Sequence, residues 1–219
     1  MNLEQIYKER NAQKRVDQKN DKGDTFGLFE RERADIFKKW IGTDKQIFEL
    51  GCRNGSLTRW FAPGNTVLGL DIDKESLDNC KIDRVTTRQV DLNGDWGVSL
   101  GIYDIVVASE VIEHLYYPDQ VIKKIHGLLK PGGYIIGSVP NAFNIKNRIR
   151  LFLARKEGTP LSEPTHITQF SYGEVKELLE KNFIEVEIIP VVQARWMWFA
   201  RLFPGLGSFL IVFRAKKNI

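Results

Sequence analysis

Three side chains stand close together in the segment "SEVIEHL": Glu110, Glu113 and His114 lie at i, i+3 and i+4. On a helical turn that spacing puts all three on one face. Such a face can serve as a general base or as a shelf for a borderline divalent ion. His166, in "EPTHITQFS", offers a fourth ligand. Two carboxylates and two imidazoles would leave open positions where an ion lowers the pKa of a bound hydroxyl. The plainer alternative is that His114 only bonds to backbone or acts alone as a base. Both readings stay open on the sequence.

A second set of residues is spread over the first half of the chain. In "QIFELGCRNGS", residues 46 to 56, an apolar run leads through Glu49 into Gly51 and Gly55, an E-x-G-x-x-x-G pattern. Glycine lets the backbone take positive φ and lets a ligand come close. Asp71 ends the next apolar run, Asp91 follows a third, and Ser109 and Glu110 follow a fourth. The carboxyl ends of neighbouring parallel strands face one crevice, so a nucleoside held there would meet an acid for its ribose hydroxyls and another for its adenine amine. An acid about 20 residues after a glycine turn also accompanies dinucleotide fingerprints, but their G-x-G-x-x-G spacing is missing.

These residues need a scaffold, and the chain alternates as one. Strand-like runs occur at "QIFEL", "TVLGLDI", "VTTRQV", "YDIVVAS" and "GYIIGSVP", each apolar or β-branched and bounded by turn formers. Helix-compatible segments fall between them at Ser56–Phe61, Lys74–Cys80 and Pro118–Leu129. The last has Val121, Ile125, Leu128 and Leu129 on one face and a "KPGG" stop. This βαβ rhythm predicts an α/β fold, a mostly parallel sheet with helices on both faces.

After residue 140 the rhythm changes. Ile145, Ile149, Phe152 and Leu153 at i, i+4, i+7 and i+8 predict an amphipathic helix with bases elsewhere on it. It would belong to an acceptor-side insertion at about residues 141–170. A further helix at "SYGEVKELLEKNF" and two closing strands, "FIEVEIIPVV" and "SFLIVFRAKK", follow, the strands pairing antiparallel across a short connection. The first 40 residues are charged, with Phe26, Leu28, Phe29, Ile36, Phe37 and Trp40 toward their end. They are expected to form a helical lid over a domain spanning 41–219.

A chain of 219 residues with 42% hydrophobic and 27% charged side chains fits one globular domain. A net charge of +4 is far below the dense basic face of a nucleic-acid binder. Cys52 and Cys80 make no disulfide framework and no CxxC pair, and Cys52 reads as a small buried residue. The polar opening carries no signal peptide, so the expected location is cytoplasmic. Trp196–Phe213 is apolar but interrupted by Arg201, Pro204 and two glycines, which favours two elements and a turn over a spanning helix. Covering a sheet edge or forming a dimer contact is the commoner use for 196–203; peripheral contact with a membrane is another. The basic helix at 145–156 can grip an anionic head group or a nucleotide sugar, or simply face solvent, as charged faces usually do.

From about residue 40 to its end the chain resembles the class I S-adenosylmethionine-dependent methyltransferases. "FELGCRNGS" is similar to the family's cofactor loop, "LGLDID" to its ribose-binding strand end and "VDLNGDW" to its adenine-contact turn. "YDIVVASEVIEHL" and "LLKPGGYIIGSVPN" are similar to its fourth and fifth strands. The resemblance implies a Rossmann-like sheet of seven strands with the last antiparallel. It implies S-adenosylmethionine as cofactor, bound at Glu49, Gly51, Cys52, Gly55, Asp71, Ile72, Asp91, Leu92, Ser109 and Glu110. One departure is Arg53, where the family usually has a third glycine.

The E-x-x-E-H arrangement with a later histidine resembles small-RNA 2′-O-methyltransferases, and the segment is also similar to that of ubiquinone-biosynthesis O-methyltransferases. His114, Glu113 and His166 are then the expected catalytic residues, and Glu110, Glu113, His114 and His166 the expected ligands of a divalent cation. The leading expectation is O-methylation of a small or lipid-linked molecule of sugar or quinol type. The alternatives are a metal-dependent RNA 2′-O-methyltransferase and a non-catalytic cofactor-binding module. The missing basic tract and accessory RNA domain weigh against nucleic acid.

Overall fold

Alternating burial within single strands shows how the sheet is covered. The computed structural model describes Gln5 and residues 29–218. In β1 (Gln46–Leu50), Ile47 faces one side while Phe48 and Leu50 face the other. In β4 (Tyr103–Ser109), Ile105 and Val107 join Ile47, and Val106 and Ala108 join Phe48. Near-continuous apolar strands are what a parallel sheet buried on both faces requires.

The remaining strands are β2 (Thr66–Asp71), β3 (Val85–Gln89), β5 (Leu129–Pro140), β6 (Ile184–Val191) and β7 (Leu210–Lys216). The seven form one sheet in the order β3-β2-β1-β4-β5-β7-β6, parallel through β5, with β7 antiparallel to both neighbours. Pro190, which has no N–H to donate, sits on the edge strand β6.

Helix α1 (Glu30–Ile41) packs Phe37 and Ile41 into the core on one face. That part of the expected lid is therefore a layer of the fold; apart from Gln5, residues 1–28 lie outside the described residues. Between β1 and β2 a 3-10 turn at Thr58–Trp60 replaces the expected helix, and α2 (Lys74–Asp78) follows β2. On the opposite face lie α3 (Pro118–Leu128), through Val121, Ile122, Ile125 and Leu128, and α5 (Tyr172–Glu180), through Val175, Leu178 and Leu179. Ser171 and Glu174 close a capping box at the start of α5. The "KPGG" stop is instead the start of a strand: β5 begins at Leu129, directly after α3, with a register irregularity opposite Tyr103–Ile105.

Helix α4 (Ile145–Phe152) lies in the expected insertion. After β6 come α6 (Met197–Leu202) and the single turn α7 (Pro204–Gly207). Among the described residues no helix is long and apolar enough to cross a membrane.

Candidate active site

Parallel register levels the carboxyl ends of β1, β2 and β4: Leu50 stands beside Leu70 on one side and Ala108 on the other. The chain leaving β1 turns at once. Gly51 has φ 72 and its N–H donates to the Leu70 carbonyl at 2.7 Å. A Cβ added there would lie 2.2 Å from Val111 Cγ2, so both the backbone and the packing demand glycine. Gly55 is held the same way, at φ 79 with a Cβ that would meet Ile82 Cδ1 at 2.5 Å. Arg53, between them, takes φ 49, in the left-handed region that a Cβ resists. Its N–H donates to Asp71 Oδ2 at 3.0 Å, which helps to hold that conformation.

Asp71 also accepts the Asp73 N–H on Oδ1 at 2.9 Å. Each of its oxygens keeps lone-pair capacity for one of two vicinal hydroxyls. Burial pushes the Asp71 carboxyl up, while the N–H groups of Asp73 and Arg53 act to lower it. Glu49 is buried beneath the loop and accepts from Thr58 Oγ1 at 2.7 Å. Desolvation raises its carboxyl to about 8, against the Thr58 hydrogen bond and with help from Asp71. Burial thus favours the neutral form of the acid beneath the loop.

The other expected cofactor contacts are placed more variously. Asp91 is exposed beyond β3, where Oδ1 accepts the Asn93 N–H at 2.9 Å. Ile72 is half-buried and its carbonyl accepts from Gln89 Nε2. Leu92 is buried and its carbonyl accepts from Trp96 Nε1. Cys52 packs its sulfur under Gly69, and burial, then Glu49 and Asp71, push its thiol far up, so it is an inert filler.

Sequence reasoning missed Arg33. It lies in α1, far from the site in sequence, yet it is buried and its Nη1 reaches Ser109 Oγ and Ser138 Oγ, each at 3.3 Å, and Glu110 Oε1 at 3.3 Å. Ser109 and Ser138 share a further hydrogen bond of 2.9 Å. Among the described residues, Arg33 Nε is a buried donor with no hydrogen-bond partner. Nothing in the local sequence marks Arg33 out among the many charged residues that precede the first strand.

Beyond β4 the chain turns through Glu110, at φ 55, into a 3-10 turn at Ile112–His114. The positive φ breaks the helical spacing assumed for Glu110, Glu113 and His114. Glu110 turns to Arg33 and is not part of the cluster formed by Glu113, His114 and His166, whose ligand atoms all lie within 4.8 Å of one another. The histidine rings are edge to face with centroids 4.7 Å apart.

The segment before α5 is pinned to this turn by backbone: Ile167 and Thr168 donate their N–H groups to the Glu113 carbonyl at 2.9 Å. His114 Nδ1 lies 2.7 Å from the Thr165 carbonyl. A carbonyl can only accept, so Nδ1 carries hydrogen and a neutral ring keeps its lone pair on Nε2. One buried carboxylate and two imidazoles suit a borderline divalent ion. Among the described residues it is the group of three or more acids, cysteines or histidines close enough to hold one.

The crevice fits S-adenosylmethionine: the Asp71 carboxylate suits a ribose diol, and the spare Arg33 donor suits an amino-acid carboxylate. Comparison with known proteins agrees. A family model of a methyltransferase domain matches residues 22–183. The ubiquinone biosynthesis O-methyltransferase of Vibrio parahaemolyticus is 34% identical over 110 residues, 47% of this chain and 46% of that one. A Mycolicibacterium smegmatis protein named "Probable S-adenosylmethionine-dependent methyltransferase" is 30% identical over 146 residues, 65% of this chain and 53% of its own. The chain thus spans about half the length of the curated relatives it matches. The solved structure of Haemonchus contortus phosphoethanolamine N-methyltransferase 2 with S-adenosyl-L-methionine superposes with a TM-score of 0.64 at 16% identity, covering 86% of this chain and 53% of that one. Its likeness concerns the fold. With the glycine turn, the strand-end acids and the sheet order all in place, the chain belongs to the class I S-adenosylmethionine-dependent methyltransferase family.

Proposed function

We propose that this chain methylates an oxygen atom of a small or lipid-linked acceptor, of quinol or sugar type. The observation that carries the reading is the Glu113, His114 and His166 cluster at the carboxyl end of β4. An acceptor hydroxyl needs to lose its proton as the new O–CH3 bond forms, whereas a neutral amine attacks with its own lone pair. A hydroxyl acceptor therefore calls for a base or a cation at its side, and this cluster can supply either. The named activity of the Vibrio parahaemolyticus relative supports the same class.

The cofactor supplies an electrophilic methyl on a sulfonium. Asp71 would hold its ribose, Asp91 its adenine end, and Arg33 the carboxylate of its methionine part. Glu49, Cys52 and the glycines fix the loop from below. His114, held at Nδ1 by the Thr165 carbonyl, accepts the acceptor's proton on Nε2. Glu113 stabilises the imidazolium that results. A divalent cation held by Glu113, His114 and His166 would instead lower the hydroxyl's pKa directly. In either case most of the rate comes from fixing the hydroxyl in line with the methyl.

The test is transfer of a labelled methyl from S-adenosylmethionine to catechols, sugars, primary amines and a short RNA, with the product identified by mass spectrometry. A methyl ether formed on a catechol or sugar is expected. Methylation of the amine alone, or of the RNA alone, would overturn the reading.

A further inference from the structure

Helix α4 is inside out. An amphipathic helix ordinarily turns its apolar face to the core, but here the buried residue is Asn147. Asn147 Nδ2 donates to the Asn141 carbonyl at 3.3 Å, and Asn144 caps the helix by accepting the Asn147 N–H at 3.0 Å. The apolar side faces outward: Ile149 is 53% exposed and Phe152 89%. Helix α6 buries Ala200 but also turns apolar side chains outward, with Trp198 61% and Leu202 67% exposed.

The two helices are tied together. Asn141 Nδ2 donates to the Gly205 and Ser208 carbonyls, each at 3.0 Å, which joins the start of α4 to the end of α7. Gly207 of α7 in turn packs against Ala200 of α6, so closely that a Cβ would lie 2.5 Å from the Ala200 backbone.

Charge says what this surface meets. Residues 141–156 and 191–209 together hold seven lysines and arginines and no aspartate or glutamate. Exposed tryptophan, phenylalanine and leucine among bases suit the boundary between acyl chains and anionic head groups. The helices are short, so they would lie in that boundary and not cross it. We infer that α4 and α6 form a docking face for an anionic phospholipid bilayer. The segment running from α4 to α5 also carries Thr165 and His166. Docking there would bring the acceptor cluster to the lipid surface, which is where a lipid-linked acceptor resides.

The inference does not rest on the proposed O-methylation, because its test reads binding without cofactor or acceptor. The whole chain is sedimented with vesicles of phosphatidylcholine alone and of phosphatidylcholine mixed with phosphatidylglycerol. Binding is expected to the mixed vesicles, weakening as salt is raised. The pair Arg155→Ser and Lys156→Ser should weaken it about fivefold per base removed. The pair Phe152→Ser and Trp198→Ser should abolish it with the melting temperature unchanged, since both side chains are exposed. Three outcomes would overturn the inference: no binding to either vesicle, binding that these pairs leave intact, or a concentration-dependent dimer that Phe152→Ser dissociates without any vesicle binding.

Discussion

Replacing Glu49 by glutamine should change how stability depends on pH, and the structure fixes both the sign and the size. Glu49 is 3% exposed and its carboxyl is raised to about 8, from 4.5, chiefly by burial. Between those values the unfolded chain has released the proton and the folded chain keeps it. Folded protein therefore binds more protons, and stability falls as pH rises through this window. The full benefit of neutral Glu49 is present below about pH 4.5 and is lost above about pH 8. The slope is about 1.4 kcal/mol per pH unit for one group. Asp71 is also raised and contributes in the same direction, so only the difference between two proteins isolates Glu49. Glutamine keeps the size and a carbonyl to accept from Thr58 Oγ1 but has nothing to titrate. Urea unfolding at several pH values between 5 and 8 should show wild-type stability falling more steeply than that of Glu49→Gln, by roughly 1 kcal/mol per pH unit. Parallel slopes would mean that Glu49 is ionised in the folded protein and that the loop rests on a charge.

Three further outcomes follow from the same crevice. Asp71→Ala should weaken binding of S-adenosylhomocysteine by about 1.5–3 kcal/mol, the scale of a lost charged hydrogen bond; calorimetry showing unchanged affinity would remove Asp71 from the ribose site. Gly51→Ala combines φ 72 with a Cβ 2.2 Å from Val111 Cγ2 and should cost about 2–4 kcal/mol in urea unfolding, part strain and part overpacking. Adding Val111→Ala should recover the packing part alone. Arg33→Met keeps the stem of a buried side chain and removes its donors, so cofactor affinity should fall about tenfold or more while near-ultraviolet circular dichroism stays native.

The sheet was legible because its strands are written twice, once as apolar runs and again as the acids that end them. Asp71 and Glu110 close β2 and β4 as that pattern predicts. Periodicity found α4 but was silent on which side it buries. The stripe Ile145, Ile149, Phe152 marks an amphipathic helix, yet Asn144 and Asn147 anchor the opposite face through Asn141, and nothing in a 3.6-residue repeat says which face is tied down. Spacing failed at Glu110, because i, i+3 and i+4 share a face only if the backbone is helical, and Glu110 has φ 55. Arg33 was invisible for a third reason. Its partners Ser109 and Ser138 are 76 and 105 residues away, and a contact of that range follows from the packing of α1 on the sheet, which no local pattern encodes.

The measurement that bears most directly on the proposed chemistry is methyl transfer to a catechol before and after chelation, in wild type, His114→Ala and His166→Ala. Held within 4.8 Å of Glu113 and His114, His166 should be needed for any cation bound there. Proton removal at this cluster predicts that His114→Ala loses the rate while binding S-adenosylhomocysteine as wild type does; where chelation lowers the wild-type rate and manganese, zinc or magnesium restores it, His166→Ala should show no restoration. An undiminished rate in His114→Ala would contradict it.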